Sequence, residues 1–88
     1  MHNDEICFCR VCGLRFDDPP WGLDGQSPSF DICPCCGVEF GYEDCNHAAI
    51  RGYRDEWIRD GMNWNYKKSR PEFWDVTAQM ACIPERFR

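Results

Sequence analysis

A small α+β fold is expected for this 88-residue chain, on three observations. Two Cys-x-x-Cys-Gly turns, Cys9 to Gly13 and Cys33 to Gly37, are joined by a loop rich in Pro and Gly. Short segments beside the turns alternate apolar and polar residues with the period of a strand. Beyond residue 46 the apolar period lengthens to that of a helix. The expected architecture is a single domain over residues 1–88: a zinc-ribbon-like antiparallel β element over 5–45, followed by two packed α-helices within 46–88.

The β element begins with the alternation of Ile6, Cys7, Phe8, Cys9, Arg10 and Val11, a strand over 5–12 that leads into the first turn. Residues 17–29 hold three prolines and two glycines and can keep no regular element. Trp21, the large aromatic of that loop, reads either as a plug over the turns or as an exposed anchor for a partner. Ser29 to Cys33 is a second strand, and Val38, Phe40 and Tyr42 alternate with Glu39, Gly41 and Glu43 as a third.

A helix is expected over 47–60, with Asp44 or Asn46 as its cap and Gly61 as its stop. Its buried stripe is Ile50, Tyr53 and Trp57, flanked by Ala49 and Ile58. Gly52 reads as a point of close packing against the ribbon, and Arg51, Arg54, Asp55, Glu56 and Arg59 as a solvated face. Trp64 and Tyr66 in the 62–68 connector dock on the core. Ser69 and Glu72 read as a capping box that opens a second helix over 70–81, with Phe73, Val76, Thr77 and Met80 buried and Pro84 beyond its end.

The paired turns point to a metal. Four thiolates, Cys9, Cys12, Cys33 and Cys36, suit one tetrahedral ion, and one Zn2+ per chain is the expectation; iron in the same tetrahedron is not separable by sequence. Gly13 and Gly37 supply the positive φ that lets backbone amides face a sulfur. A chain this short buries only about 60–65% of its unfolded surface, so it needs a staple. Structural zinc brings roughly 10–16 kcal/mol of folding energy.

Four cysteines remain. Cys35 projects from the second turn and reads as a small buried residue ahead of a reactive thiol. Cys7 and Cys82 lie in apolar settings that suit core residues. Cys45 and His47 are the most ligand-like pair should Cys7, Cys45, His47 and Cys82 assemble a second metal site or a thiol relay. His2 is given no role.

The N-terminus, Met1 to Glu5, is polar and acidic, with no apolar segment of a secretory signal, and no run approaches a membrane span; the expected location is the cytoplasm. Charge divides the chain. Residues 1–46 carry −7 and residues 47–88 carry +2, which together make the net −5. An acidic metal half disfavours nucleic acid and favours a basic protein partner.

The run from Ser29 through Cys33-Pro34-Cys35-Cys36-Gly37 to Asp44, preceded by Cys9-x-x-Cys12-Gly13 and followed by Tyr53-Arg54-x-x-Trp57-Ile58-x-x-Gly61-x-x-Trp64, resembles the bacterial cysteine-rich CPCC proteins. Arg10 stands where members of that family often have proline. The resemblance implies a small zinc-ribbon-like cytosolic protein and supplies no established activity.

Function follows from what is present and what is missing. No catalytic constellation is visible and a tetrathiolate site leaves no open coordination position, so the chain reads as a non-enzymatic, acidic protein-interaction module held by zinc. An immunity or antitoxin-like role, covering a basic toxin surface, is one version. The alternatives are a nucleic-acid-binding ribbon using Arg51, Arg54, Arg59, Lys67, Lys68 and Arg70, and a thiol or redox protein using the spare cysteines. No small-molecule substrate is indicated.

Overall fold

The computed structural model describes residues 3–88; His2 lies outside the described residues. The expected α+β ribbon is not what forms. Among the described residues there is no β-strand and no sheet, only two isolated antiparallel bridges, Phe8 with Arg15 and Ile32 with Glu39. Each bridge closes one cysteine turn. Around the first turn Cys9 N–H donates to Leu14 and Phe16 N–H to Cys7; around the second Cys33 N–H donates to Val38 and Phe40 N–H to Asp31.

Neither pairing extends into a ladder. Upstream of the first bridge the chain winds into a 3-10 helix, Asn3–Cys7, in place of a strand. Upstream of the second, Phe30 takes a φ of 64°, which no strand tolerates, and Pro28 lacks a donor. The alternation of Val38 and Phe40 does mark burial, with both side chains inside, but it serves a turn instead of a ladder.

The first helix, α1, spans His47–Arg59 and is capped by Asn46, whose Oδ1 accepts the Ala49 N–H at 2.8 Å. Asp44, the other candidate cap, is buried instead: its carboxylate accepts the Trp21 indole N–H and the Gly41 N–H, each at 2.8 Å. Trp21 thereby packs against the core as a plug. The buried residues of α1 are Ile50, Arg54 and Trp57, with Tyr53 half-buried and Ile58 exposed. Gly52 makes no close approach; a Cβ there would meet nothing within 4 Å.

The second helix is five residues long. This element, α2, spans Val76–Met80 and is capped by Asp75, whose carboxylate accepts the Ala78 N–H. The expected capping box fails because it would make Arg70 helical directly before Pro71, where the ring disfavours the α region. Arg70 accordingly sits at φ −69°, ψ 123°, and Lys67–Ser69 form a separate 3-10 turn. The chain over 71–75 is free to carry Trp74 between Trp57 and Trp64, with ring centroids 6.4 and 5.4 Å away. Phe73 is turned out and 90% exposed, Thr77 and Tyr66 are exposed, and Val76 and Met80 pack on the core.

The core those elements cover is built on the cysteine turns. Cys9, Cys12, Cys33, Cys35 and Cys36 join Val11, Val38, Phe40, Ile50, Trp57 and Trp64 in one buried cluster. The backbone of the connector pairs with the second turn, Asn65 N–H donating to Cys35 and Tyr66 N–H to Pro34. Gly13 lies against the end of α2, at φ 85°, where a Cβ would collide with the Gln79 carbonyl.

Gly52→Ala, at an open helical position, is expected to raise stability by about 0.5–1 kcal/mol. Gly13→Ala combines a strained φ with that collision and is expected to cost more than about 2 kcal/mol. Urea unfolding of the two variants checks both signs.

Candidate metal centre

Each Cys-x-x-Cys turn is closed by its own backbone. Gly13 N–H donates to the Cys9 carbonyl and Gly37 N–H to the Cys33 carbonyl, which folds each cysteine pair onto one side of its turn. The Val11 N–H points at Cys9 Sγ, 3.4 Å away. The two turns then face each other. Cys9 Sγ lies 3.8 Å from Cys36 Sγ, and Cys12 Sγ lies 3.7 Å from Cys33 Sγ. All four sulfurs are within 4.8 Å of one another, and all four residues are buried.

Those separations decide between the chemistries open to four cysteines. A disulfide needs sulfurs about 2.05 Å apart. A tetrahedron with metal–sulfur bonds of about 2.3 Å has edges of about 3.8 Å. The observed pairs match the tetrahedron, and all eight cysteines are free thiols. The four residues expected as ligands are thus the four that the fold brings together, and they could hold one metal ion.

The electrostatics of the cluster favour a cation. Burial pushes the Cys12 and Cys36 thiols up, while hydrogen bonds from Cys12, Cys36 and Cys9 hold Cys33 low. Without a cation the sulfurs must share protons, because neighbouring thiolates repel in a buried site. A divalent ion removes that conflict.

Two arginines hold the first turn in place, and neither was expected to. Arg54 donates to the carbonyls of Val11, Arg10 and Phe87, each at 2.7 Å, and so ties α1, the first turn and the 3-10 turn Glu85–Phe87 together. Burial lowers its pKa, and negative charge at Cys9 acts in the opposite direction. It is therefore no part of a solvated face, and a basic surface spanning Arg51 to Arg70 loses that member. Arg10 lies between the rings of Trp21 and Phe87, 3.9 and 4.3 Å from their centroids, and donates to the Asp44 and Gly25 carbonyls. The only signal in sequence is indirect: an Arg inside the metal turn, and another in register with a helix's apolar stripe.

The spare cysteines do not assemble. Among the described residues the four-sulfur group is the only set of three or more ligand side chains in range of one ion. Cys45 and Cys82 are exposed and donate to the Gly41 and Ala78 carbonyls one turn back, and Cys7 is half-buried, so Cys7 and Cys82 are not full core residues. His47 packs edge-on to Phe87. Cys35 is buried as expected, its sulfur accepting from Gln79 Nε2 at 3.3 Å, while the same amide nitrogen reaches the Cys12 carbonyl.

Comparison with known proteins gives relatives in sequence. The uncharacterized protein YoaQ of Bacillus subtilis (strain 168) is 33% identical over 85 residues, a match covering 77% of this chain and 71% of that one. The uncharacterized protein YozI of the same organism is 34% identical over 84 residues, covering 77% and 69%. The chain belongs to their family. No family model matches it, and no solved structure does. Among the described residues no helix is long and apolar enough to cross a membrane.

Metal loading of the four-sulfur site is expected to release at least about two protons per ion at pH 7, since the buried thiols must ionise. Apparent affinity should therefore fall as pH drops; calorimetry in buffers of differing ionisation enthalpy measures the count. Arg54→Ala, which strands three carbonyls, is expected to cost about 3 kcal/mol in urea unfolding of the metal-loaded protein, with part regained in Arg54→Lys.

Proposed function

We propose that this protein is a non-enzymatic zinc protein in which one structural Zn2+ on Cys9, Cys12, Cys33 and Cys36 supports an acidic surface that binds a basic partner protein. The observation that carries the reading is the placement of the four sulfurs: they are buried, within 4.8 Å of one another with two pairs at tetrahedral-edge spacing, in a chain whose described residues form no sheet. A site closed by four thiolates has no position for a substrate, and its contribution is to folding. Zinc suits the tetrathiolate donor set, and the resemblance to the CPCC proteins points the same way.

The second cysteine turn supplies the surface. Phe30, Ile32 and Tyr42 are 56%, 54% and 67% exposed, and the Phe30 and Tyr42 rings lie 5.9 Å apart. Asp31, Glu39 and Glu43 come from the same stretch of chain, and Arg10 and Arg15 are the only basic residues before residue 47. Apolar anchors among carboxylates suit a partner with an apolar centre and a basic rim. Phe30 is held there in the left-handed region, its ring over Gly41 beside Pro28, a backbone cost that buys exposure of an aromatic side chain.

The test compares the zinc-loaded protein with an Ile32→Arg/Tyr42→Arg variant in quantitative affinity capture from extracts of the source cells, with DNA and RNA retardation measured in parallel. Retention of one protein by the native chain, lost at least about tenfold in the variant and weakened by salt, is the expected result. Equal retention by both chains, or retardation of nucleic acid at low salt, overturns it.

A further inference from the structure

A cavity of about 570 Å³, open to solvent, reaches the four-sulfur site at Cys36. Cys36 forms part of its wall, and Cys36 is the one sulfur ligand with any exposure, 7% against 0% for Cys9, Cys12 and Cys33. Glu43, Glu56 and Asp60 line the same cavity, and no Lys or Arg does. The first turn is covered by Arg54, which donates to the Val11 carbonyl, and by α2, whose end abuts Gly13.

We infer that this cleft is the route by which metal enters and leaves the folded protein, with Cys36 as the ligand at which exchange begins. The inference rests on the zinc reading above and adds to it a site that exchanges its ion without unfolding. Exchange proceeds one ligand at a time: the Cys36 thiolate leaves the bound ion and either passes to an incoming Zn2+ or takes a proton from water, while water or a carboxylate oxygen of a chelator takes its place on that ion. Three carboxylates in a concave wall raise the local concentration of divalent cations and repel anions. The cleft therefore discriminates by charge, favouring an incoming cation over an anionic chelator.

That asymmetry gives a test with opposite signs. Zinc-loaded full chain is mixed at low ionic strength either with isotopically labelled Zn2+ or with EDTA, and both exchange rates are followed by native mass spectrometry. In the Glu43→Gln/Glu56→Gln/Asp60→Asn variant, labelled zinc should enter about five- to tenfold more slowly and EDTA should extract zinc faster by a similar factor. High salt should erase both differences. Glu56→Lys, a single exposed helical position, should move both rates in the same directions. Rates that rise together report a loosened fold and overturn the inference, as do rates that do not move. Absence of zinc from the starting protein overturns the four-sulfur reading itself.

Discussion

Four sulfurs held within 4.8 Å of one another cannot all be ionised unless a cation sits among them. That constraint organises the rest of the molecule. The sulfurs come from two turns twenty residues apart in the chain, and neither turn has a sheet to hold it. Without a cation the two short turns, each closed by a few backbone bonds, would face each other with like charges or buried protons between them. The loop, the connector and both helices pack on that cysteine centre.

Around that centre, side chains do work that a β-ladder would otherwise do. Arg54 satisfies three carbonyls from two separate stretches of chain, and Arg10 satisfies two more while lying between two aromatic rings. Asp44 joins the loop to the second turn through Trp21 and Gly41. Gln79 reaches from α2 to both Cys12 and Cys35. Irregular backbone survives in the interior of so small a chain because planar, multi-donor groups meet carbonyls that no neighbouring strand could reach.

The four-cysteine cluster and α1 were legible in sequence because each rests on a local rule: a turn with glycine at the position that needs positive φ, or a cap followed by an apolar stripe. The strands were not. Alternation at Ile6 to Val11 and at Val38 to Tyr42 reports which side chains are buried, and in a turn-built core it does so without any partner strand. The second helix was overread from Ser69 and Glu72, although Pro71 already restricted Arg70. Arg54 was assigned to solvent from its charge, since sequence does not show which carbonyls will be left without donors. The cleft at Cys36 was equally invisible, being assembled from α1, the second turn and the connector.

Trp57, Trp64 and Trp74 stand together with centroid separations of 5.4 and 6.4 Å, two of them beside Cys36 in the cleft wall. Indoles at such distances couple their electronic transitions, and their emission responds to a thiolate, a thiol or a heavy cation within reach. The chain consequently carries its own optical reporter of what the four sulfurs hold, with no label attached. Near-ultraviolet circular dichroism and tryptophan lifetime will read the state of the metal centre directly, in dilute solution and in real time.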